Sequence, residues 1–335
     1  MGWVVQESEA MEDTTVGGAR SRLWTAQFSG VIVASITPMT TSGAVDLDAI
    51  EAYVEFLLER GADALMVLGT TGEFITLTPE ERETVQTRFL SVVGGRVPVV
   101  VHVGHVDVRI AERLAAGAVN AGADAIASIT PYYHHFTASA IEAHQRSLAR
   151  AFPETPFFVY NYPAAAGKEI AFESFQRLLE YPNVCGVKLS VATWAEVEPF
   201  LESPAEVLVT CGTDPLLERF LGAGGRAIVS GNAAAFPEVL QLSMAAFRSQ
   251  DPASMALARR LGEELVSLGL AGAPDRLKEV LVARKVAVGG SRIRTYTEAD
   301  AGRPQEQVER MEALVGELRA VVEAMSEAVR AGKDS

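Results

Sequence analysis

Short, continuously apolar runs recur between residues 31 and 231. Each is too short for a helix and too uniformly apolar for a strand with one face in water. They are therefore predicted to be parallel strands buried on both faces. The eight runs are VIVASI (31–36), ALMVLG (64–69), PVVVHV (98–103), DAIASI (124–129), PFFVYN (156–161), CGVKLS (185–190), EVLVTC (206–211) and RAIVSG (226–231).

The segments between these runs carry the periodicity and the end signals of helices. Residues 48–60 have apolar side chains at helical spacing and stop at Gly61, which suits a left-handed C-terminal cap. Thr78, Pro79 and Glu81 predict a capping box with proline at the first helical position. Strands and helices are thus predicted to alternate.

A third helix is predicted after the seventh run. Thr213 or Asp214 can cap it, Pro215 can begin it, and Gly222 can end it. The segment GADA occurs at 61–64 and again at 122–125, each time between a predicted helix and the next strand. This recurrence indicates a repeated βα unit.

Eight βα units spaced by roughly 20 to 35 residues predict a (β/α)8 TIM barrel. A doubly wound open sheet is the alternative. No G-x-G-x-x-G follows any of the runs, so the usual dinucleotide fingerprint of such sheets is missing.

The predicted barrel occupies only part of the chain. A polar arm spans residues 1–27 and the barrel spans 28–236. Residues 237–335 form a predicted C-terminal helical region, with helices expected in 237–290 and 305–332. No motif is recognisable in the arm or beyond residue 300.

Composition narrows the classes of function. Apolar residues make up 48% of the 335 residues, and 29 basic against 43 acidic residues give a formal charge of −14. A general phosphate-binding surface is therefore unexpected, and so is a nucleic-acid partner. Cys185 and Cys211 support neither a disulfide framework nor a cysteine zinc site. With no apolar run near 18 residues and no targeting signal recognised, a cytoplasmic location is predicted.

Polar residues follow the predicted strands at the ends where barrel enzymes carry their chemistry. They would face one mouth of the barrel, which is the main reason from the residues alone to predict an enzyme. These residues are Thr70, Thr71, Tyr132, Tyr133, Tyr160, Asn161, Lys188, Gly212, Thr213 and Ser230.

Lys188 is the candidate nucleophile. It is the only one of five lysines on a predicted core strand. An amine attacks a carbonyl only when it is neutral, and lowering an amine pKa from about 10.4 to near 7 requires roughly 4 to 5 kcal/mol. A dry apolar interior can supply this, as at other Schiff-base lysines. The alternative is a structural lysine paired with a buried carboxylate.

Schiff-base chemistry also needs proton transfers, and a positioned phenol can perform them. Tyr160, at a strand end, and Tyr133, on a loop, are the candidates, although a tyrosine at such a position is as often a packing residue. The turn GTTGE (69–73) offers hydroxyl and N–H groups suited to a small carboxylate, but many such turns are only tight loops.

Taken together, these residues resemble the dihydrodipicolinate synthase and N-acetylneuraminate lyase family of pyruvate-dependent class I aldolases. The similarity runs from about residue 29 to about residue 290, and its motifs are specific because they occur in order at matching intervals. The motifs are SITPM (35–39), GTTGE (69–73), TPYY (130–133), VYNYP (159–163) with Gly167, GVK (186–188) and IVSGNAAAFPE (228–238).

The resemblance implies roles for these positions. Lys188 would form a Schiff base with a 2-oxo acid, normally pyruvate, and Tyr160 would donate and accept protons. Thr70 and Tyr133 would complete a proton relay, in which relatives often take the tyrosine from a neighbouring subunit. The family also implies a homotetramer built from two dimers, and neither a metal nor an organic cofactor.

The resemblance places the 2-oxo acid carboxylate on the turn. Thr71 and the neighbouring N–H of Gly72 would hold it, and Val229 would line the site through its main chain. Two departures bear on the aldehyde. Ala165 stands where dihydrodipicolinate synthases have the arginine that grips a carboxylate, and Leu189 stands where relatives often have an acidic residue.

These departures favour an aldolase that acts on a less charged partner. The segments YNYPAAAGKEI (160–170) and VHVG (101–104) resemble the 2-keto-3-deoxygluconate aldolase branch, whose aldehyde partner is small and hydroxylated. The alternatives within the family are a 4-hydroxy-tetrahydrodipicolinate synthase and a hydratase-aldolase or dehydratase of 2-oxo acids. A member that only binds or assembles is a further alternative.

A metal-dependent class II aldolase is the alternative outside the family. Its ligands would come from His102, His105, His134 and His135. Adjacent histidines point apart on an extended loop, and no Asp or Glu lies at ligand spacing beside them. Solvated loop histidines are therefore the expectation.

Overall fold

The computed structural model describes residues 28–295 and 303–331. Eight parallel strands close into a barrel in chain order, with β8 paired to β1. The predicted (β/α)8 fold is confirmed, and each strand lies in its apolar run to within one residue. The strands are β1 Gly30–Ala34, β2 Ala64–Val67, β3 Val99–His102, β4 Ala125–Ile129, β5 Phe157–Asn161, β6 Val184–Leu189, β7 Leu208–Cys211 and β8 Ala227–Ser230.

Helices lie between the strands and follow the last one. Those of the barrel are α1 Ala49–Glu59, α2 Pro79–Val93, α3 Val108–Asn120, α4 Ala138–Ala151, α5 Pro163–Ala166, α6 Phe172–Leu178, α7 Trp194–Val197 and α8 Leu217–Gly222. The C-terminal ones are α9 Pro237–Ser249, α10 Pro252–Ser267, α11 Pro274–Ala283 and α12 Pro304–Ala331. Within the described ranges, no helix has the length and apolar character needed to cross a membrane.

The capping box at α2 is confirmed. The Thr78 hydroxyl accepts a hydrogen bond from the Glu81 N–H at 3.2 Å, and the Glu81 carboxylate accepts one from the Thr78 N–H at 2.9 Å. The third predicted helix differs from expectation, since a 3-10 turn over Asp214–Leu216 precedes α8 and no side chain caps it. The Thr213 hydroxyl instead donates to the Val191 carbonyl at 2.6 Å.

The two GADA joints have the same structure. Gly61 and Gly122 have φ of +86° and +88°, which glycine adopts without strain. The Asp63 carboxylate accepts a hydrogen bond from the N–H of Val31 at 2.7 Å, and Asp124 accepts one from Val99 at 2.8 Å. In each case the aspartate ties the start of its strand to the preceding strand, so the predicted repeat is confirmed.

Side chains of the strands alternate between two apolar cores. One core fills the barrel interior and includes Met66 and Phe158, and the other lies between the strands and the helices. On β6, Lys188 points inward, whereas Leu189 is buried in the outer core. Leu189 therefore does not line the pocket, and the expectation that this departure bears on the aldehyde is wrong, because adjacent strand residues face opposite sides.

The C-terminal helices pack against one another and against the barrel. Helix α12 buries Val308, Met311, Val315 and Leu318, a helical stripe, in the main core. The predicted helices of 237–290 and 305–332 are present. The polar arm predicted for residues 1–27 lies outside the described residues.

Candidate active site

A cavity of about 470 Å³ opens at the carboxyl ends of the strands. It collects residues from the ends of β2, β5, β6, β7 and β8, as expected for a barrel enzyme. Several of the residues singled out in the sequence meet here. Its lining includes Thr70, Thr71, Tyr160, Tyr162, Ala164, Lys188, Ser190, Gly212, Thr213, Asp214, Val229, Gly231, Asn232, Val266 and Ala271.

Lys188 reaches this cavity from the barrel interior. It is 5% exposed, and its Nζ lies 3.8 Å from the Met66 sulfur and 4.2 Å from the centre of the Tyr160 ring. Among the described residues, no carboxylate lies within 4 Å of this Nζ. The amine is therefore held without an ion-pair partner beside the space that a substrate would enter.

A second buried lysine gives the contrasting case. Lys278, on α11, is 1% exposed, and its Nζ lies 2.6 Å from the Glu73 carboxylate. Lys278 is therefore a structural lysine paired with a buried carboxylate, which was the alternative interpretation of Lys188. The sequence placed Lys278 on a helix but gave no sign of its burial, because its carboxylate partner lies 205 positions away.

Tyr160 lies next to Lys188 because β5 and β6 pair with these two residues in register. The Tyr160 hydroxyl is 3.3 Å from the Thr70 hydroxyl, and the ring stacks on Tyr162 with centroids 6.0 Å apart. The phenol oxygen is thus connected to a second hydroxyl at the mouth. This arrangement can pass a proton between the two oxygens.

The turn after β2 presents Thr71 to the cavity, opposite β8. A Cβ placed on Gly231 would lie 3.2 Å from the Thr71 hydroxyl oxygen, and Val229 lines the same space. The Gly72 N–H donates to the Gly69 carbonyl at 3.0 Å within the turn. The Thr71 hydroxyl is therefore better placed than the Gly72 N–H to receive a carboxylate.

The beginning of this turn is fixed by a buried histidine. The Ile129 N–H donates to His102 Nε2 at 3.2 Å, so Nδ1 carries the proton and donates to the Leu68 carbonyl at 2.9 Å. Burial, and then the Arg82 charge, hold the pKa of His102 well below its ordinary value. His102 is thus a neutral structural residue. The expectation of a solvated loop histidine is wrong here because the ring joins β3 to two neighbouring backbones.

Leu68 is also in the left-handed region, with φ of +59°. A branched side chain adopts this conformation only where its surroundings fix it. The hydrogen bond from His102 supplies one such constraint on the carbonyl of this residue.

Asp214 is a polar residue of the cavity that sequence reasoning assigned only to a helix cap. Its Oδ2 accepts hydrogen bonds from the Ser230 hydroxyl at 2.8 Å and the Asn232 amide at 2.7 Å. Its Oδ1 is buried without a hydrogen-bond partner among the described residues, and so is the Asn232 side-chain oxygen. Burial raises the pKa of Asp214, and the two hydrogen bonds and the Lys188 charge oppose that rise.

The sequence did contain a signal for Asp214. The residue lies three positions after the end of β7, which is where a barrel places residues of its mouth. The proline at position 215 favoured the cap interpretation instead.

Tyr133 does not reach the cavity of its own chain. Its side chain is 90% exposed, and its backbone has φ of +76°. A tyrosine that combines an exposed ring with a left-handed backbone is unusual. Of the residues assigned catalytic roles, Lys188, Tyr160 and Thr70 are brought together and Tyr133 is not.

The remaining candidate metal ligands do not form a cluster. His134 and His135 are exposed, as expected of loop histidines, and the His105 ring accepts a hydrogen bond at Nδ1 from the Asp107 N–H at 3.0 Å. Among the described residues, no group of three His, Cys, Asp or Glu side chains is arranged to hold a metal ion.

The part of the cavity next to α5 is lined by a small, uncharged side chain. Ala164 lines it, while Ala165, at the position of the missing arginine, is exposed. Within residues 28–295 and 303–331, Lys188 is the single cationic residue of the cavity lining. Apart from the nucleophile, the lining as described therefore offers no positive charge for a second carboxylate.

The chain is similar in sequence to several known proteins. The model of the dihydrodipicolinate synthetase family matches residues 27–301. The 4-hydroxy-tetrahydrodipicolinate synthase of Nitrosomonas eutropha is 32% identical over 242 residues, which are 72% of this chain and 82% of that protein. The 4-hydroxy-tetrahydrodipicolinate synthase 2 of Halalkalibacterium halodurans is 31% identical over 79% of this chain and 91% of that protein.

A solved structure extends the similarity to the fold. YagE from E. coli K12, a prophage protein of the dihydrodipicolinic acid synthase family, was solved in complex with pyruvate. It superposes with a TM-score of 0.78 at 26% identity, covering 86% of this chain and 98% of YagE.

Proposed function

The chain belongs to the dihydrodipicolinate synthetase family, whose members are lyases that use pyruvate, and we propose that it joins pyruvate to an uncharged, hydroxylated aldehyde or cleaves the product. The observation that carries the proposal is the unpaired Lys188 beside Tyr160 in the mouth cavity. The reaction follows from what these side chains can do.

The first step uses Lys188. Its neutral amine attacks the 2-carbonyl carbon of pyruvate, and loss of water leaves a Schiff base. Removal of a methyl proton then gives an enamine, whose carbon attacks the aldehyde carbonyl. Hydrolysis returns the free lysine and releases the 2-oxo acid product.

Tyr160 moves the protons in these steps. Its hydroxyl gives a proton to the departing oxygen and takes one back when water returns. The Thr70 hydroxyl, 3.3 Å away, is the next oxygen along this path. The carboxylate of pyruvate binds the Thr71 hydroxyl, and the Val229 backbone closes that side of the site.

The aldehyde end of the cavity argues for an uncharged partner. Among the described residues, its lining contains Ala164, Val191 and Ala192 but no arginine. Asp214, an acidic residue of the lining, likewise offers no positive charge to an anionic aldehyde. These features support an aldolase of the 2-keto-3-deoxygluconate type.

The second candidate is a 4-hydroxy-tetrahydrodipicolinate synthase. It is favoured by the names of the relatives described above. Its aldehyde carries a carboxylate, for which Ala165 offers no partner. Pyruvate with glyceraldehyde or with aspartate semialdehyde, followed by product mass, separates the two: a glyceraldehyde product supports the proposal, and an aspartate semialdehyde product alone supports the synthase.

We also propose a homotetramer in which a neighbouring subunit completes the site. The supporting observation is that Tyr133 lies on the mouth loop yet points its ring into solvent in the single chain. A partner subunit that covers this loop would bury the ring and bring its hydroxyl to a Tyr160.

The Schiff base is tested by trapping. Borohydride added with pyruvate should increase the mass of the subunit by about 72 Da, the change for a reduced pyruvate imine. Lys188→Ala should remove this increase, and Lys168→Ala, at an exposed lysine, should leave it intact. An adduct of the same size in the Lys188→Ala protein would refute the assigned nucleophile.

A further inference from the structure

The turn that carries Thr70 and Thr71 ends at a buried carboxylate. Glu73, its last residue, is fully buried and has φ of +56°. A glutamate adopts a left-handed backbone only where its surroundings hold it there. The contacts of its side chain are therefore the constraint to identify.

The hydrogen-bond donors to this carboxylate in the described part of the chain come from the C-terminal region. Oε1 accepts a hydrogen bond from Lys278 Nζ at 2.6 Å. Oε2 accepts one from the N–H of Arg292 at 2.8 Å and one from the N–H of Ile293 at 2.9 Å. Lys278 Nζ also donates to the Gly290 carbonyl at 2.8 Å. Glu73 thus joins the turn to α11 and to the segment after it.

That segment is itself fixed against the barrel. The Met39 N–H donates to the Val288 carbonyl at 3.0 Å, and the Gly290 N–H donates to the Met39 carbonyl at 3.1 Å. A Cβ on Gly289 would lie 1.7 Å from the Met39 oxygen, so only glycine fits between the two backbones. The donors to Glu73 are consequently held in place independently of the turn.

The position of Glu73 is transmitted to the site over three residues. The Glu73 N–H donates to the Thr70 carbonyl at 3.0 Å, and the Thr37 hydroxyl donates to the Gly72 carbonyl at 2.7 Å. Thr70 and Thr71, in the stretch held by these two hydrogen bonds, face the cavity. A displacement of Glu73 must therefore displace the hydroxyl groups that the proposed reaction uses.

We infer that Glu73 and Lys278 are positioning residues for the 2-oxo acid, so that the C-terminal region determines how tightly the barrel mouth binds it. The inference rests on the proposed function. A stabilising role alone would account for a buried ion pair anywhere in the molecule, since removal of one partner leaves an uncompensated charge. This pair lies at the end of the turn that receives the carboxylate, and a small misplacement there lowers reactivity by a large factor.

The variants Glu73→Gln and Lys278→Met test the inference, with pyruvate KM and kcat as the readouts. Each should raise the pyruvate KM by roughly ten- to a hundredfold and lower kcat by a smaller factor. Lys188 and Tyr160 stand on strands rather than on the turn, so borohydride should still label every subunit at saturating pyruvate. Lys278→Arg keeps the charge, so its pyruvate KM should lie between those of the wild type and Lys278→Met.

The double variant distinguishes a shared path from two separate effects. Lys278 contacts the turn only through Glu73 among the described residues, so the double variant should have a KM no higher than that of the worse single variant. If the rise in the pyruvate KM of the double variant equals the product of the two single rises, the assigned path is contradicted.

A second buried ion pair serves as the matched control. Glu238 on α9 pairs with Arg284 after α11, and their side chains are 8% and 3% exposed. Neither belongs to the cavity lining or to the turn. Glu238→Gln should lower the melting temperature as Glu73→Gln does but leave the pyruvate KM within about twofold.

The outcomes separate the inference from the proposed function. Failure of the wild-type protein to form a pyruvate adduct would overturn the proposed function, and the inference with it. If the wild-type adduct forms and the Glu73 and Lys278 variants keep the wild-type KM, the inference alone is wrong. An equal KM rise in Glu238→Gln would also overturn it, because the effect would then be one of general stability.

Discussion

Tyr160 combines two contacts that a single substitution can separate. Its ring lies 4.2 Å from Lys188 Nζ, and its hydroxyl lies 3.3 Å from Thr70. Tyr160→Phe keeps the ring and removes the hydroxyl. We expect the pyruvate adduct still to form, but about a hundred- to a thousandfold more slowly, because the proton carrier is lost. Borohydride quenching at successive times measures this rate.

Tyr162 provides the control for this prediction. Its ring stacks on Tyr160 and lines the same cavity, and burial raises the pKa of its phenol. Tyr162→Phe removes a hydroxyl from the cavity without touching the proposed proton path. Its adduct should form within a few fold of the wild-type rate, and equal slowing in both variants would contradict the role given to Tyr160.

Asp214 predicts an effect of pH on stability. Its folded-state pKa is raised above the ordinary 3.8, chiefly by burial, so the folded protein binds more protons than the unfolded chain between these two pKa values. The free energy of unfolding contributed by this group therefore falls as pH rises through that window and remains low above it. Asp214→Asn removes this dependence, and its stability relative to wild type should be higher at pH 7 than near pH 4.

Urea unfolding at the two pH values measures this difference. Asp251→Asn is a control of opposite sign, because hydrogen bonds from the Ser254 N–H and side chain lower the pKa of Asp251 at the start of α10. That carboxylate contributes stability above its unfolded pKa and loses it as pH falls. A relative stability of Asp214→Asn that decreases from pH 4 to pH 7 would show that the carboxyl is not held as described.

At the scale of single residues, the sequence identified those whose residue type is unusual for the predicted secondary structure around them. Lys188 could be recognised because an ammonium in an apolar run has no local explanation. The structural roles of Glu73 and His102 could not be recognised, because a glutamate in a turn and a histidine at a strand end are ordinary locally, and the place of Asp214 at the mouth was obscured by the proline that follows it. Their importance depends on partners from other strands or from the C-terminal region.

At the scale of elements, β6 depends on a glycine two residues before its lysine. A Cβ on Gly186 would lie 2.4 Å from the Phe158 ring and 2.7 Å from the Leu208 carbonyl. The register with β5 shifts between Phe157 and Phe158, where the two strands are already irregular. The sequence showed this glycine only as part of a motif, whereas the structure shows that it leaves room for an aromatic ring.

Gly186→Ala should therefore destabilise the protein by about 1 to 3 kcal/mol, since the ring and the strand must move apart. Pyruvate labelling should slow as well, because Lys188 is two residues away on the same strand. Gly262→Ala is the control: this glycine is inside α10 with nothing within 4 Å of the added atom, and alanine should stabilise by about 0.5 to 1 kcal/mol. Urea unfolding compares the two, and an unchanged Gly186→Ala protein would mean that β6 is not packed as described.

The elements themselves were largely predictable, for a reason visible in the two cores. Strands buried on both faces give continuous apolar runs, and glycine and capping residues mark the ends of the helices between them. The start of α8 was predicted incorrectly because the candidate caps have other partners. The Thr213 hydroxyl donates a hydrogen bond to the Val191 carbonyl after β6, and the Asp214 carboxylate accepts one from Ser230 on β8. A cap inferred from sequence holds only where no tertiary partner competes for the side chain.

At the scale of the whole molecule, the C-terminal region contributes to the mouth of the barrel as well as to the outer core. Glu73 receives its donors from this region, and Ala271 and Gly272, between α10 and α11, line the cavity. The sequence predicted these helices but gave them no part in the site. Contacts between distant parts of the chain determine their further role, and no local pattern encodes such contacts.

The whole assembly is the scale at which Tyr133 must act. In the proposed tetramer each site takes Lys188 from one subunit and Tyr133 from its neighbour, so Lys188→Ala and Tyr133→Phe inactivate different halves of one site. Each variant alone should have little activity. A hybrid should contain one site with both wild-type residues and one with neither.

Mixing the two inactive proteins under conditions that exchange subunits therefore tests the arrangement. Random pairing makes half of the dimers hybrids, each with one of two sites intact, so activity should return to about one quarter of the wild-type value. Mixing Lys188→Ala with Tyr160→Phe is the control. Both residues belong to the same chain, on adjacent strands, so one site of each hybrid lacks the lysine and the other lacks the tyrosine hydroxyl. This mixture should therefore regain no activity. Equal recovery in both mixtures, or none in either, would contradict a tyrosine supplied by the partner, because the exposed ring would then serve no neighbouring site.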